Sequence, residues 1–423
     1  MARYPSYQPT DIPWLPEIPE GWEVRRCASL LKVKESISAP KAELLSVFLD
    51  RGVIKFSEGG EKRANATSKD LTKYQEVCPG EFVMNNQQAW RGSVGISPYY
   101  GIISPAYIVT TISKSLNVQY ANLLLRSKLV VGLYEVCSRG VGSIQRNLIW
   151  NLFKGKSLPV PPLAEQERIV AYLDKQTLKI DKLVAAKTKQ IALLKELRER
   201  TIADAVTRGL PGEHTSFLST NIPWLPEIPV GWEVKGLRHF LTVVSLRGCP
   251  ERQLLSVTRE RGVIIRDIES KEENHNFIPE DLSNYKVVEA GDFVVNKMKS
   301  WQGSYGLSRY DGIVSPAYYV FKIREVNGIF FSVAIRSKTY ISFFARYSKG
   351  IRSGQWDLPI EAIKEIPFAL PPLSEQERIV AYLDEQTAKI DKAVALLASG
   401  IERLKEYRER LIADVVTGQQ KVE

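Results

Sequence analysis

The stretch EQERIVAYLDKQTLKIDK, residues 165–182, returns almost unchanged as EQERIVAYLDEQTAKIDK, residues 375–392. A second pair, DIPWLPEIPEGWEV at 11–24 and NIPWLPEIPVGWEV at 221–234, is also separated by 210 residues in this chain of 423. Solenoid repeats have periods of roughly 20–50 residues, so this period is too long for a solenoid. The sequence therefore predicts two copies of a whole folding module on one chain.

Each copy ends in a long segment of helix-forming residues. Two consecutive prolines precede both segments, and residues 163–208 contain neither Pro nor Gly, while residues 373–417 contain Gly400 alone. Ala, Leu, Lys, Glu, Gln and Arg dominate, and these residues have high helix propensity. At ~1.5 Å of rise per residue, each segment predicts a helix on the order of 65 Å long.

Apolar residues recur every seven positions along both helices, which predicts a coiled coil. The predicted seam contains Leu173, Ile180, Leu194, Leu383, Ile390, Leu397, Leu404 and Leu411. A second seam position, four residues earlier, passes through Ile169, Leu183, Leu197 and Ile379. An amphipathic helix needs a partner, and the nearest is the helix of the other copy. Either relative direction is topologically possible, and an antiparallel pair would relate the copies by an approximate two-fold axis.

The remainder of each copy has short runs rich in Val, Ile, Tyr and Phe, separated by Gly, Pro, Asn and Ser. This pattern predicts a mixed, mainly β domain, with one helix near 118–133 and its counterpart near 328–344. The expected class is α+β, with two such domains alternating with two long helices that pair as an antiparallel coiled coil. The predicted segments are a first domain at 1–160, a central helix at 161–210, a second domain at 211–370 and a distal helix at 371–418.

The proline-rich element before each domain carries four tryptophans, Trp14, Trp22, Trp224 and Trp232. Its prolines exclude a helix, and indole rings favour burial. We interpret the element as a clamp that packs each domain on its long helix. Stacking of the tryptophans on DNA bases is the alternative.

Composition limits the classes of function. The net charge of +10 and the pI of about 9.2 favour a polyanionic partner, although many basic proteins bind no nucleic acid. No stretch reaches the ~18 uncharged apolar residues of a membrane span, and the first residues lack an apolar signal core, so we expect a cytoplasmic protein without a membrane partner. The four cysteines form no Cys-x-x-Cys pair, and the three histidines lack metal-ligand spacing, so we expect reduced thiols and no metal site.

The order of these elements resembles the specificity subunits of type I restriction-modification systems. The resemblance rests on PPLxEQERIVAYLDxQTxKIDK, at 161–182 and 371–392, after a β-rich domain that opens with IPxGWEV, and it covers essentially the whole chain. It implies two target recognition domains, each reading one half of a bipartite, asymmetric DNA sequence. It also implies that the helices set the spacer and dock two methylation subunits, and that restriction subunits join the larger complex.

The resemblance implies a chain that is not an enzyme but dictates the specificity of both methylation and restriction. S-adenosylmethionine, ATP and magnesium would belong to the partner subunits, with no cofactor in this chain. The sequence contains no Asn/Asp-Pro-Pro-aromatic tetrapeptide and no Gly-x-x-x-x-Gly-Lys-Ser/Thr loop. Two other classes stay open at this point: an enzyme with unrecognised motifs, and a coiled-coil scaffold whose β domains bind proteins.

Base edges in the major groove are read by Arg, Lys, Asn and Gln, so polar loops that differ between the copies are candidates for DNA contact. A first loop shares the pattern Asn-x-x-x-x-Trp-x-Gly in both copies, and we expect Trp90 and Trp301 to anchor it in the core. Its candidate DNA-binding residues are Asn85, Asn86, Gln87 and Arg91, and Asn296, Lys297, Lys299 and Gln302. A surface loop whose polarity merely solvates it is the alternative.

A second loop, CSRGVGSIQRNL from Cys137 and YSKGIRSGQWDL from Tyr347, has Ser, a cation, Gly, Ser and Gln in register. Glycine lets the backbone approach a phosphate, which the cation would hold. Its candidates are Arg139, Ser143, Gln145 and Arg146, and Lys349, Arg352, Ser353, Gln355 and Trp356. A plain turn is the alternative.

Two further sets of cations complete the candidates. Lys62 and Arg63 lie in a stretch whose counterpart in the second copy is acidic, so they fit either sequence-specific contact or a variable loop. Arg126-Ser127-Lys128 and Arg336-Ser337-Lys338 are in register between the copies. The cations in Arg126-Ser127-Lys128 and Arg336-Ser337-Lys338 could hold phosphates, or they could be solvated cations at a helix end.

Overall fold

The computed structural model describes residues 3–34, 42–59, 71–140, 146–267, 278–352 and 355–422, and for residues 349–352 and 355 it describes the backbone alone. The chain divides into two compact units. Unit 1 comprises Met1–Lys187 with Ser399–Glu423, and unit 2 comprises Thr188–Ala398. Each unit therefore takes one predicted β domain and a part of both long helices, so the compact units cut across the four predicted segments.

Unit 1 is built from short antiparallel strands, four short helices and the first part of a long helix. The strands are β1 (Tyr7–Ile12), β2 (Leu15–Pro19), β3 (Glu23–Arg26), β4 (Leu31–Val33), β5 (Leu45–Phe48), β6 (Gly52–Lys55), β7 (Gln75–Val77), β8 (Phe82–Asn85), β9 (Val94–Ile96), β10 (Gly101–Ile103), β11 (Tyr107–Ile112), β12 (Ser138–Arg139), β13 (Asn147–Leu148) and β14 (Ser157–Val160). The helices are α1 (Cys27–Leu30), α2 (Val118–Leu125), α3 (Lys128–Val136), α4 (Trp150–Phe153) and α5 (Leu163–Arg208), with 3-10 turns at Phe56–Gly59 and Ala89–Arg91.

Unit 2 repeats this order of elements. Its strands are β15 (Phe217–Ile222), β16 (Leu225–Pro229), β17 (Glu233–Gly236), β18 (Leu241–Val244), β19 (Leu255–Thr258), β20 (Gly262–Ile265), β21 (Lys286–Val288), β22 (Phe293–Asn296), β23 (Tyr305–Leu307), β24 (Gly312–Val314), β25 (Tyr318–Ile323), β26 (Lys349–Arg352), β27 (Gln355–Asp357) and β28 (Pro367–Leu370). Its helices are α6 (Gly328–Ile335), α7 (Lys338–Tyr347), α8 (Ile360–Glu365) and α9 (Leu373–Val416), with 3-10 turns at Leu237–His239 and Ser300–Gln302.

A four-stranded antiparallel sheet is the centre of each β-rich part, with the order β4-β11-β8-β9 in unit 1 and β18-β25-β22-β23 in unit 2. In unit 1, Tyr107 lies opposite Asn85, and in unit 2, Tyr318 lies opposite Asn296. Phe82 and Val83 of β8 are fully buried, as are Phe293 and Val294 of β22, so both faces of the sheet are covered. The matching topology confirms the predicted α+β class and the internal repeat.

The single helix predicted near 118–133 is two helices, α2 and α3, and the same break separates α6 from α7. Ser127 has extended backbone dihedral angles, and its side chain accepts a hydrogen bond from the amide of Val130. A serine in this position caps the start of a new helix, because its oxygen satisfies an amide that has no partner within the helix. The prediction of one helix was wrong for this reason.

The two long helices pair in antiparallel directions. In unit 1, Leu173 and Ile180 of α5 share an apolar cluster with Leu411 and Val415 of α9. The Arg408 guanidinium lies 3.4 Å from the Asp181 carboxylate, and the matching pair in unit 2 joins Arg198 and Asp391 at 3.0 Å. Of the predicted seam, Leu173, Ile180, Leu383 and Leu411 are buried, and Leu194, Ile390, Leu397 and Leu404 are half-buried.

The second seam position is buried at Ile169 and Ile379, as predicted, but lies one residue later than predicted at Leu183 and Leu197. Leu183 and Leu197 are 51% and 50% exposed, whereas the neighbouring Val184 and Arg198 face the other helix and are half-buried. Residues three and four positions after Ile180 both lie on its face of the helix, so either could complete an apolar stripe. The spacing of these two leucines therefore resembled that of a seam in the sequence, although half of each side chain is in solvent.

A carboxylate near the start of each long helix, half-buried at Glu165 and buried at Glu375, binds the proline-rich element. In unit 1, Trp22 Nε1 donates to Glu165 Oε2 at 3.1 Å, and the hydroxyl of Tyr4 donates to Oε1 at 2.5 Å. In unit 2, Trp232 Nε1 donates to Glu375 Oε2 at 3.0 Å, and the His214 ring lies 2.6 Å from Oε1. The predicted clamp is confirmed for Trp22 and Trp232, whose rings are buried, whereas Trp14 and Trp224, which were also predicted to be buried, are half-buried.

The next residue of each helix, a buried glutamine, makes a second connection. Gln166 Oε1 accepts a hydrogen bond from the amide of Asn117 at 2.7 Å, and its Nε2 donates to the carbonyl of Pro161 at 2.8 Å. Gln376 does the same with Asn327 and Pro371, each at 2.8 Å. The Glu-Gln pair that is common to both copies therefore joins each helix to its β-rich part.

Within the described residues, no helix combines the length and the apolar character that crossing a membrane requires.

Replacing Ile180 with Ala should lower the free energy of unfolding by about 2–4 kcal/mol, because the side chain is 5% exposed and its loss leaves a cavity in the seam. The matched control, Leu183→Ala, should change it by less than about 0.5 kcal/mol, because half of that side chain is in solvent. Urea unfolding measures both. Equal losses in the two variants would contradict the observed seam.

Replacing Trp232 with Phe should lower the free energy of unfolding by about 1–3 kcal/mol, because the buried Glu375 carboxylate loses a donor. Trp224→Phe is the matched control, because the Trp224 Nε1 is buried and has no hydrogen-bond partner among the described residues. Thermal or urea unfolding compares the two. A control variant as unstable as Trp232→Phe would show that ring volume, rather than the bond to Glu375, carries the clamp.

Candidate nucleic-acid interface

The first candidate loop begins where the central strand of each unit ends. In unit 1, the side-chain oxygen of Asn85 accepts a hydrogen bond from the amide of Gln87 at 3.1 Å. In unit 2, Asn296 accepts from the amide of Met298 at 3.2 Å, and its side chain is 7% exposed. Such bonds fold a turn on its own backbone. The two asparagines therefore shape the loop, and Asn296 is directed into the turn.

A left-handed glycine closes the loop in both units. Gly92 and Gly303 follow the 3-10 turns with φ of 97° and 90°. This region of backbone conformation strongly favours glycine, which lacks a Cβ. The two units therefore use one backbone frame, from asparagine to glycine, to present different polar side chains.

The second candidate loop packs against the first. In unit 1, β12 and β13 form a two-stranded ladder, and the amide of Leu148 donates to the carbonyl of Asn86 at 3.0 Å. In unit 2, β26 pairs with β27, and the amide of Leu358 donates to the carbonyl of Lys297 at 3.2 Å. The structure thus brings both candidate loops into one surface, which we call the loop surface. It comprises 85–91, 138–140 and 146–148 in unit 1, and 296–302, 349–352 and 355–358 in unit 2.

A tryptophan lies at the junction of the two loops. Trp90 is half-buried, with the guanidinium of Arg146 4.9 Å and that of Arg91 5.4 Å from its ring centre. In unit 2, Trp301 stacks on Trp356, with ring centres 5.1 Å apart and planes at 24°. The expectation that Trp90 and Trp301 are core anchors was wrong. Their rings join two surface loops through cation–π contact in one unit and aromatic stacking in the other.

The remaining described candidates differ in exposure and in partners. Arg91, Arg139 and Lys299 are exposed, and Gln87 and Gln302 are half-buried. Arg146 Nη1 lies 3.1 Å from Glu135 Oε1, and Lys297 Nζ lies 3.6 Å from Asp357 Oδ1. The buried side-chain oxygen of Asn86 has no hydrogen-bond partner among the described residues. Contact of these side chains with DNA stays a prediction.

Several candidates fall outside the described part of the chain. Lys62, Arg63, Ser143, Gln145 and Ser353 lie in segments that the structure does not describe. Lys349, Arg352 and Gln355 are placed on β26 and β27 by their backbone alone.

Two half-buried arginines, Arg126 and Arg336, have a structural role that the sequence did not reveal. Arg336 Nη1 donates to the carbonyl of Tyr305 at 2.6 Å, and Nη2 donates to those of Arg259 and Glu260 at 3.1 and 2.9 Å. Its counterpart Arg126 donates to two carbonyls of the matching turn in unit 1, and burial lowers the pKa of both guanidinium groups. These arginines hold a hairpin in place and are occupied by backbone carbonyls, so they do not offer a free phosphate site.

The lysines that follow them bind the long helices. Lys128 pairs with Glu409 in unit 1, and Lys338 lies 3.7 Å from Glu199 in unit 2. Both lysines are largely exposed, so each pair contributes little to stability.

Two residues beneath the loop surface were absent from the sequence-based candidates. Gln75, the first residue of β7, donates from Nε2 to the carbonyl of Tyr107 at 2.6 Å. Lys286, the first residue of β21, donates from Nζ to the carbonyl of Tyr318 at 2.6 Å. The two positions are equivalent in the repeat, and only the comparison of folded units shows that both reach the loop-bearing end of the sheet.

One described group of side chains has the composition of a metal site. Ligand atoms of Glu213, His214 and Glu375 lie within 4.8 Å of one another. Each already has a protein partner, because Glu375 binds Trp232 and His214, and Glu213 lies 3.0 Å from Arg378. In unit 1 the position of His214 is taken by Tyr4, which binds the equivalent carboxylate through its hydroxyl. We therefore interpret the group as part of the clamp.

Comparison with known proteins identifies relatives along the whole chain. Residues 19–193 match the family described as type I restriction modification DNA specificity domain. The chain is 22% identical to the type I restriction enzyme MjaVIII specificity subunit of Methanocaldococcus jannaschii, over 96% of this chain and 94% of that protein. It is 21% identical to the EcoKI specificity subunit of Escherichia coli, over 95% of this chain and 90% of that one.

Solved structures share the fold. A chain from work on complex assembly and conformational transition of the type I R-M system has a TM-score of 0.68 at 14% identity, covering 95% of this chain and 99% of that one. The HsdS subunit from Thermoanaerobacter tengcongensis has a TM-score of 0.52 at 14% identity, covering 95% and 98%. At this identity, the similarity concerns the fold alone.

Replacing Arg336 with Lys should lower the free energy of unfolding by about 2–3 kcal/mol, because a lysine is a point donor and cannot reach three carbonyls in the geometry of a guanidinium. Lys338→Ala, which removes a neighbouring cation that is 79% exposed, is the control and should be close to neutral. Urea unfolding measures stability, and the salt dependence of DNA binding measures phosphate contact. An Arg336→Lys variant with unchanged stability but a weaker salt dependence would return this arginine to the phosphate-binding candidates.

Proposed function

We propose that the chain is a specificity subunit of a type I restriction-modification system, which recognises double-stranded DNA and gives the complex its target sequence. The match of residues 19–193 to the specificity-domain family and the whole-length similarity to named specificity subunits support this proposal. The observation that supports this most directly is the loop surface. Both units present it on the same backbone frame, while its side chains differ between them. A surface with the same backbone but different polar side chains in the two units suits the recognition of two different DNA sequences.

In this proposal each unit reads one half of a bipartite, asymmetric target. A bidentate contact to a base edge discriminates by roughly 1–3 kcal/mol, so a few contacts give one unit several kcal/mol of preference. Two readers on one chain also raise each other's effective concentration at the target, provided that both can engage together. The two halves of the target then act as one site of high specificity.

The long helices have two roles in the proposal. They set the spacer between the two halves of the target, and they dock two methylation subunits. Exposed leucines on α5, namely Leu183 in unit 1 and Leu193 and Leu197 in unit 2, support docking, because each is at least half exposed although the helix already has a partner. Exposed apolar side chains of this size are typical of an interaction surface when they cluster.

Catalysis belongs to the partner subunits in this proposal. The methylation subunits would use S-adenosylmethionine, and the restriction subunits would use ATP and magnesium, while this chain dictates where both act. The complex would work on DNA in the cytoplasm. Methyl transfer by the purified chain, given DNA and labelled methyl donor but no other subunit, would overturn this division of labour.

Exchanging the β-rich part of unit 1 should alter only one half of the methylated target. The segment between β3 and β14 of unit 1 would be replaced by the equivalent segment of another specificity subunit. This design leaves Trp22 and Glu165 in place, so the clamp is kept. The readout is the map of methylated positions in host DNA when the partner subunits are present.

The reciprocal exchange, between β17 and β28 of unit 2, is the matched control and should alter the other half alone. A change of both halves in either exchange would show that the units do not read DNA independently.

A further inference from the structure

Lys286 is a nearly buried lysine without a carboxylate partner. Its side chain is 9% exposed, its Nζ donates to the carbonyl of Tyr318, and it lies 5.6 Å from the ring centre of Tyr319. Among the described residues no carboxylate lies within ion-pair distance of it. A buried charge without an opposite charge is costly, so its presence calls for a reason.

The repeat supplies an internal control for this position. In unit 1 the equivalent residue is Gln75, whose Nε2 donates to the carbonyl of Tyr107 at the same distance of 2.6 Å. A neutral amide therefore makes the structural hydrogen bond as well as the ammonium does. The positive charge of Lys286 is not needed for the fold of the strand end.

Two other cations lie beside Lys286. The amide of Val287 donates to the carbonyl of Leu246 at 2.8 Å, which brings the next residue, Arg247, alongside the start of β21. Lys297 directly follows Asn296, which lies opposite Tyr318, the residue whose carbonyl Lys286 binds. We call Arg247, Lys286 and Lys297 the cation cluster.

The charges of the cation cluster are only partly balanced. Asp357 lies 3.6 Å from Lys297, and Arg247 donates to the side-chain oxygen of Asn284 at 3.1 Å. Burial and the charges of Arg247 and Lys297 lower the pKa of Lys286, as expected for cations that repel one another. Charges held together against their own repulsion mark sites that bind an opposite charge.

Unit 1 is neutral at the matching positions. Lys297 corresponds to Asn86, and Asp357 corresponds to Asn147. The backbone bond that joins the two loops is nevertheless the same, since Leu148 donates to Asn86 and Leu358 donates to Lys297. The two units thus share the same backbone at this location, where unit 1 carries amide side chains and unit 2 carries charged ones.

From this juxtaposition we propose that Lys297, with Lys286 and Arg247 beside it, forms a binding site in unit 2 for electron-rich acceptor atoms of DNA. At the positions of Lys297 and Lys286, unit 1 has the neutral amides Asn86 and Gln75. The proposal rests on the proposed function and deepens it. Lys297 is one-third exposed and touches the DNA, and the buried Lys286 acts as a positioning residue whose charge strengthens the site.

Two kinds of acceptor on DNA share this chemistry. Phosphate oxygens attract lysine and arginine regardless of sequence, whereas O6 and N7 of guanine attract them at one base pair. Amides such as Asn86 and Gln75 suit N6 and N7 of adenine instead, so unit 1 has the chemistry for a different base. The dependence of binding on salt and on sequence distinguishes a phosphate contact from a guanine contact in unit 2.

The test uses the full chain and the variant Lys286→Gln, which copies the residue of unit 1 and keeps the bond to Tyr318. Lys297→Asn, which copies Asn86, is the second variant if the first unfolds. Lys235→Gln, which removes a cation that is 41% exposed and paired with Glu233, controls for net charge. Binding is measured to a mixed-sequence duplex over a range of salt concentrations, and base preference is measured by selection from a duplex pool with randomised positions.

We expect Lys286→Gln and Lys297→Asn to change DNA binding beyond the Lys235→Gln control. A phosphate site gives weaker binding to all duplexes, with the slope of log K against log salt reduced by about one. A guanine site gives an unchanged slope and a loss of roughly tenfold or more in preference at one base pair.

Two results would overturn the cation cluster as a DNA site: variants that match the wild type in slope and base preference, or variants that differ from it no more than the control does. In both, binding by the wild-type chain leaves the proposed function intact. A wild-type chain that binds no duplex, alone or with its methylation subunits, counts against the proposed function itself.

Discussion

One carboxylate in each unit, buried at Glu375 and half-buried at Glu165, joins the long helix to the proline-rich element that opens the β-rich part. Glu165 and Glu375 each accept a hydrogen bond from a tryptophan indole and a second bond from an aromatic side chain, Tyr4 or His214. A buried carboxylate is stable only when it is hydrogen-bonded, so the proline-rich element must return to the helix to supply its donors. This requirement fixes where the β-rich part begins relative to the helix that carries it.

On that fixed frame the two units differ in the side chains that their loops present. The loop-closing glycines and the backbone bonds between the loops are common to both units, whereas cation–π contact in one unit becomes aromatic stacking in the other. Buried positions are constrained by packing, and surface side chains are free to change as long as the frame holds them. The repeat therefore separates what keeps the fold from what can differ in recognition, without any other sequence for comparison.

Much of the fold could be predicted from the chain itself. The period of 210 residues gave the repeat, the absence of Pro and Gly over 163–208 gave the first long helix, and heptad spacing gave one side of the seam. The other side could not be distinguished, because Leu183 and Val184 are both compatible with the stripe through Ile180 and only packing shows which is buried. Likewise, the break between α2 and α3 could not be predicted, because the apolar pattern continues through Ser127, the residue that caps the start of α3.

The candidate site was predictable as two loops, but not in its details. Trp90 and Trp301 were expected in the core, because an aromatic ring in a common pattern is usually buried. Arg336 resembled a free cation, because its three carbonyl partners come from two distant parts of the chain. Lys286 carries no motif at all, and its interest arises only when Gln75 is found to make the same bond.

The composition of the units has a consequence for the order in which the protein is made. Unit 2 is one continuous stretch of chain, whereas the core of unit 1 includes Leu411, Val415, Val416 and Val422. Domains usually mature on the ribosome in the order of their synthesis, from the amino terminus onward. Here the first β-rich part must wait with an open apolar face until the last 25 or so residues of its unit have been translated, so the second unit can reach its native state earlier.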